Sequence, residues 1–353
     1  MKLERTWDMK LPTAILGIDR LPGGPVIAAC FDGVRRVDID AKAQSLVGTH
    51  RSYASGVRHL QDGRFVTAGY DGALVWRSLD QEAPERETPA HRFWSWDLAR
   101  SPDGLRLASV TGQYLAGSYR YDPAPSAEPC VKVLEAATGR TVAEFEMLPS
   151  VHCVAFSPDS RFVAAGNLMG EAGVWEIETG TRVATLSTAD FTSWGKIKSH
   201  CYIGGIHAIA FSPDGSRLIV AGMGPMDDPM AGNGKQRWQE FDWRAPEGPM
   251  TRASKDDQCG EGLIEALAFD AAGTHFLMAG RLRGGNWNAA LFDYATGDRV
   301  AAASTGYRIT EVLWDAELGE WWVAGTQGQP SERDGEGNFP DFGRLERWKV
   351  VAD

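Results

Sequence analysis

Val154-Ala155-Phe156-Ser157-Pro158-Asp159-Ser160-Arg161-Phe162-Val163-Ala164-Ala165-Gly166 returns further along the chain as Ile209-Ala210-Phe211-Ser212-Pro213-Asp214-Gly215-Ser216-Arg217-Leu218-Ile219-Val220-Ala221-Gly222. Each copy is an apolar run, a Ser-Pro-Asp turn and a second apolar run. Pro presets φ at one turn position and Gly tolerates a positive φ at another, so the segment reads as a tight hairpin. Looser copies start at Leu98-Ala99-Arg100-Ser101-Pro102-Asp103-Gly104 and Leu267-Ala268-Phe269-Asp270. Others centre on Gln61-Asp62-Gly63, Leu21-Pro22-Gly23-Gly24 and Trp314-Asp315-Ala316-Glu317-Leu318-Gly319, which makes seven copies in all. A third strand follows the hairpin, then a second turn such as Glu178-Thr179-Gly180, Thr138-Gly139 or Thr296-Gly297, then a fourth strand such as Arg182-Val183-Ala184-Thr185-Leu186.

Four strands per copy at this spacing predict an all-β, seven-bladed β-propeller of four-stranded antiparallel blades. The blades are read as 10–50, 51–90, 91–149, 150–187, 203–255, 261–304 and 306–353 plus 1–9. The last copy ends after its third strand, Leu345-Glu346-Arg347-Trp348-Lys349-Val350-Val351, while Leu3, Trp7 and Met9 alternate with polar residues at the N-terminus. Residues 2–9 are therefore expected to supply the outer strand of blade seven and close the ring. An open ring would leave unpaired edges and an uncovered apolar face.

The Phe-Ser-Pro-Asp-Gly turn, third strands ending Val174-Trp175-Glu176 or Val75-Trp76-Arg77, and the Thr-Gly turn resemble the WD-repeat family over nearly the whole chain. The resemblance is degenerate. The family's turn Asp is kept only at Asp32 and Asp71, and the Trp-Asp pair has drifted to Trp175-Glu176, Phe241-Asp242, Phe292-Asp293 and Trp348-Lys349. The family's Asp-His-Ser-Trp network is accordingly expected to be mostly absent, with packing between blades carrying more of the stability. What the resemblance implies for function is a rigid scaffold that recognises a protein or peptide partner.

Composition narrows the alternatives. The chain has 353 residues, 43% hydrophobic, with a formal net charge of −11. It contains basic pairs but no Lys/Arg stripe, so a nucleic-acid partner is not expected. No apolar stretch is long enough to span a bilayer, so no membrane partner is expected, and the N-terminus shows no secretory apolar region. Five cysteines at irregular spacing and without a CxxC motif suggest a reducing, cytoplasmic setting rather than a disulfide or zinc framework.

Insertions gather on the face that carries the second-to-third and blade-to-blade connections: 111–129, 187–205, 223–235, 281–288, 327–343 and a shorter one at 81–93. In repeat folds such clustering marks a binding face; long surface loops are also cheap to accommodate, since closure entropy rises slowly with length. The loops hold Trp94, Tyr114, Trp194, Trp287 and Arg281 as candidate contacts, and the same rings are equally suited to packing the loops together. Aligning the seven inner strands on their turns gives one position at the rim of the channel: Leu16, Ser55, Trp96, His152, His207, Glu265 and Thr310. Trp96, His152, His207 and Glu265 come from consecutive blades and are the candidate ligand or partner contacts. Two His and one carboxylate have the composition of a facial metal triad. The wet mouth of a channel accounts for the same residues without a metal, and no metal or cofactor is expected.

The chain has no Gly-x-Ser-x-Gly elbow, no His-Glu-x-x-His and no Walker loop, so no catalytic residue is assigned. A binding module, acting as a monomer or as one subunit of a hetero-complex, is the first expectation. A small-molecule or glycan site at the channel mouth, with hydrolase or lyase activity, is the alternative.

Overall fold

The computed structural model describes residues 1–352 except 62, 114–125, 189–190, 195–201, 225–233, 256–259, 336 and 338; for 192–194, 202–204 and 282 only the backbone is described. Seven antiparallel sheets form a ring. The inner strands are Ile15–Arg20, Ala54–His59, Asp97–Arg100, Val151–Phe156, Tyr202–Phe211, Glu261–Phe269 and Arg308–Asp315, and each contacts the inner strand of the next blade all the way round. The ring closes as expected: Lys2–Leu11 pairs antiparallel with Gly343–Val351, with Leu3 opposite Val350 and Met9 opposite Leu345.

The Ser-Pro-Asp turns are self-capped. Ser157 Oγ donates to Asp159 (2.5 Å) and accepts from the Phe162 amide (2.9 Å), and Ser212 repeats the pattern with Asp214 and Arg217. The turn needs a left-handed residue next, which is Gly215 in blade five (φ +71°) and Ser160 in blade four (φ +58°). Between the sheets the apolar residues segregate into seven clusters, one at each blade-to-blade interface. Third-strand aromatics fill these interfaces: the buried Trp76 donates its indole N–H to the Ala136 carbonyl of blade three (2.6 Å), and Trp175 stacks on Phe145. Apolar packing thus fills every blade-to-blade interface.

The hydrogen-bond network expected to be mostly absent persists as a three-member remnant in blade two, where the Trp76 indole goes to Ala136 instead, and as a smaller one in blade three. His50 joins Asp71 (3.1 Å) to Thr67 (2.9 Å), and Asp71 also accepts the amides of Arg51 and Ala73. In blade three the buried His91 meets Ser109 (2.9 Å), which meets Ser95 (2.7 Å). Neither His follows a Gly, so the dipeptide pattern missed both.

Three expected loops are partly regular. The insertion at 187–205 contains Thr192–Trp194, which pairs with Tyr202–Gly204 and adds a fifth strand to blade five's sheet. In blade six, Arg281–Gly284 prolongs the second strand and pairs back to Glu261–Leu263. The segment 81–93 is not a single loop: Arg86–Pro89 is the outer strand of blade two, and 78–85 joins it to the third strand on the opposite face. In each case the ladder satisfies backbone groups that an irregular loop would leave to water.

Candidate functional site

The residue aligned at the channel rim is a β-bulge. In six inner strands the pairing register skips one residue: Leu16, Ser55, His152, His207, Glu265 and Thr310. In blade three the amide of Trp96 bonds the Val110 carbonyl (2.9 Å) while Asp97 pairs with the same Val110, which gives the same two-against-one geometry at the strand's start. A bulge leaves the extra residue unpaired and re-aims its side chain. All seven of these residues line one cavity of about 260 Å3 at the mouth of the channel.

Around that mouth the aligned residues divide in two. On one side, rings run in unbroken contact. Trp96 lies 4.6 Å from His152, and His152 lies 5.0 Å from His207, centroid to centroid. Trp96 also meets Tyr70 and Trp94 edge-on, and its indole N–H is fixed on the Gly112 carbonyl (3.1 Å). The series continues outward: Trp94 stacks on Tyr70 (4.5 Å), Tyr70 meets Tyr53 (6.0 Å), and Tyr53 stacks on Phe31 (4.1 Å). Tyr53 is 43% and Trp94 38% exposed, so the outer part of this arc faces solvent. Burial, followed by the nearby His207, holds His152 well below the usual histidine range, so its ring is neutral. Its Nε2 and the Ser55 hydroxyl are buried without a hydrogen-bond partner.

On the other side, Glu265 does not stand with the two histidines. Arg308 of blade seven holds it in a bidentate pair, Nε to Oε1 at 2.7 Å and Nη2 to Oε2 at 2.5 Å. A carboxylate committed to a guanidinium is a poor metal ligand, and among the described residues no group of three or more His, Cys, Asp or Glu is placed to hold a metal ion.

One step deeper the channel carries a charge cluster that the rim alignment did not include. Arg58 sits between Glu311 (3.5 Å) and Asp97 (4.0 Å). Asp19, close by, accepts from the His59 amide (2.7 Å) and pairs with its ring (2.8 Å). Three carboxylates thus share one arginine. Burial raises Glu311 to about 7; Asp97 and Asp19 push the same way and Arg58 only partly offsets them. Burial likewise raises Asp97 against the pull of Arg58. Asp19 is pushed up by burial too, but the His59 hydrogen bonds and the Arg58 charge outweigh this and leave it lowered.

A second cavity, about 470 Å3, adjoins the first. Its lining includes Arg281, Arg308, Gln327, Phe31, Tyr307 and Phe342, so Arg308 borders both spaces and Phe31 brings the outer end of the aromatic arc to the second. The second-to-third connection of blade seven contributes Gly328 and Gln329, which puts these cavities on the face of the long connections. Of the other expected contacts, Trp287 is only 4% exposed; it packs on Phe292 in the blade five–six core and lines neither cavity. Trp194 lies on the added strand, where only its backbone is described, and Tyr114 lies outside the described residues. Arg308, Tyr70 and Phe31 escaped the rim alignment because none occupies the bulge: Arg308 opens its inner strand two residues before it, and Tyr70 and Phe31 follow second strands. The deeper cluster had a signal: Asp19 and Arg58 share one aligned position, and Asp97 and Glu311 share another.

A WD40 family model, described as "WD domain, G-beta repeat", matches residues 145–170, from the end of blade three into the second hairpin of blade four. Apoptotic protease-activating factor 1 of Rattus norvegicus is 24% identical over 206 residues, covering 57% of this chain and 15% of that protein. The Homo sapiens protein of the same name is 25% identical over 177 residues, covering 49% of this chain and 12% of its own length. The chain therefore spans a small part of the curated relatives it matches. A WD40 repeat is thus set in a ring of seven four-stranded blades, a seven-bladed β-propeller.

Proposed function

We propose that the chain is a protein-interaction scaffold, acting in the cytoplasm as a monomer or as one subunit of a hetero-complex, that takes a protein or peptide partner on the face of the channel mouth. The WD40 propeller itself suggests the scaffold role. The observation that carries the choice of face is the aromatic arc from Phe31 to His207, whose outer members Tyr53 and Trp94 stay exposed although each stacks on a neighbour. Stacked rings give large, stiff contact area at low entropic cost, which is why aromatics are enriched at recognition hot spots. Capture of partners from a lysate of the source cell tests this, using the native chain beside a Tyr53→Ala/Trp94→Ala double variant. Proteins retained by the native chain and lost with the double variant support the face; a partner retained equally by both moves the interface elsewhere.

A second reading rests on Ser55 and His152, which line the 260 Å3 cavity and each keep a buried polar atom without a partner. Buried polar groups without partners are costly, and a small hydrogen-bonding ligand would relieve them. Native mass spectrometry of protein purified from its source is the direct check: a bound small molecule that is lost on Ser55→Ala/His152→Leu favours this reading, and a bare mass removes it.

A further inference from the structure

The second cavity joins positive charge, spare donors and apolar walls on the surface of an acidic protein of formal net charge −11. Arg281 is exposed and makes no side-chain hydrogen bond or ion pair among the described residues. Arg283, two residues on, is also exposed and is the residue skipped in the pairing with Glu261 and Gly262. Arg308 spends Nε and Nη2 on Glu265, which leaves Nη1 as a further donor. Arg344 donates to the amide oxygen of Gln327, so the Gln327 Nε2–H2 is also left to donate. Beside these donors stand the rings of Phe31 and Phe342.

We propose that this cavity is the subsite for an acidic peptide segment, in which a carboxylate sits between Arg281 and Arg308 and a neighbouring apolar or aromatic side chain rests against Phe31 and Phe342. This rests on the scaffold reading above and names the chemistry of its partner. Guanidinium forks match carboxylates in shape and charge, and hydrogen bonds to charged groups are the stronger kind. The surrounding negative charge repels acidic chains elsewhere, so the arginines pick out this one spot by complementarity. Continuity with the aromatic arc through Phe31 lets one extended segment reach both cavities.

The test pans a phage library of random peptides against the whole chain and measures binding of the selected peptides by fluorescence anisotropy. Selected sequences should be enriched in Asp or Glu next to Phe, Tyr, Trp or Leu. Arg281→Glu should weaken them by about tenfold or more, the usual consequence of losing a charged hydrogen-bond partner, and flatten the salt dependence. Arg281→Lys, which keeps the charge but loses the fork, should weaken binding less than Arg281→Glu. Selected peptides without acidic enrichment, or acidic peptides bound equally by Arg281→Glu, overturn the proposal. So does displacement of the peptide by glutarate or by a thymidine oligonucleotide at matched concentration, which reassigns the site to a small anion or a nucleic acid. Peptides that depend on Tyr53 and Trp94 but not on Arg281 remove this inference and leave the scaffold reading standing. A library that yields no peptide, or only peptides indifferent to all of these changes, removes both.

Discussion

The two halves of the channel mouth are built on the same backbone and do opposite things with it. In blades two to five the bulge position and its neighbours supply rings, from Tyr70 through Trp96 and His152 to His207. In blades six and seven the equivalent ground is held by the Glu265–Arg308 pair, with Arg281 beside it. Beneath both lies the Arg58 cluster. The strand ladders and bulges are common to all blades, so the fold places no constraint on which chemistry appears at the rim. The single bulged side chain of each blade is where this propeller acquires its character.

Removing the cation that lies beneath both halves should have the largest effect. Arg58→Ala leaves Asp19, Asp97 and Glu311 facing one another in a half-buried site lining the cavity, and breaking such a cluster should cost about 3 kcal/mol, the low end of the range for fully buried pairs. Part of that cost is avoided when Glu311 and Asp97 take up protons. Urea midpoints should therefore fall for Arg58→Ala at every pH, and further at pH ~8 than at pH ~5. Equal losses at both values would show that the carboxylates do not feel Arg58. On the aromatic half the matching change is Trp96→Ala. Trp96 is partly exposed to the cavity, so its loss should cost about 2–3 kcal/mol, below the range for a fully buried ring. It should also expose His152, whose pKa, read by NMR titration, should rise toward the ordinary value.

The two halves should also respond oppositely to acid. Glu311, raised to about 7 from an ordinary 4.5, keeps its proton in the folded chain where an unfolded glutamate has lost it. Its contribution is whole below the unfolded value and is lost as pH rises through about 7. His152, lowered well below 6.5, stays neutral in the folded chain where an unfolded histidine is charged. Its contribution is whole above the unfolded value and is lost as pH falls below it. Glu311→Gln mimics the protonated acid, so it should remove a loss on the order of 2 kcal/mol between pH ~5 and ~8 while leaving the acid limb unchanged. Denaturation midpoints across that range measure it, and a variant that keeps the full alkaline slope would place the titration on another group.

Much of this architecture was legible beforehand because it rests on periodic features. Ser-Pro-Asp turns, alternating strands and the spare N-terminal strand are local signals, and they gave the blade count, closure by residues 2–9, which the structure extends to Leu11, and the seven rim residues. Partnership was not legible in the same way. Glu265 aligned with two histidines, but its mate is Arg308, 43 positions away across a blade boundary, and only the ring's curvature brings them together. Trp287 looked like a loop aromatic because it follows Gly284-Gly285, yet the glycine turn folds it back onto Phe292. His50 and His91 lacked the dipeptide that flags the repeat network, while the distances that define the network persist.

The smallest effect expected is on the residue that matters most to the peptide proposal. Arg281 is exposed and unpaired among the described residues, so truncating it removes no folded-state contact beyond solvent-facing packing. Substitutions of that kind usually move stability by no more than about 0.5 kcal/mol. Arg281→Ala should therefore leave the urea midpoint where it is. Arg308→Ala, by contrast, strips Glu265 of its bidentate partner and should cost about 1–3 kcal/mol. The pair separates retention for folding from retention for recognition. If Arg281→Ala destabilises as much as Arg308→Ala, the arginine is a structural part of blade six, and the ionic half of the mouth holds the ring together rather than reading a partner.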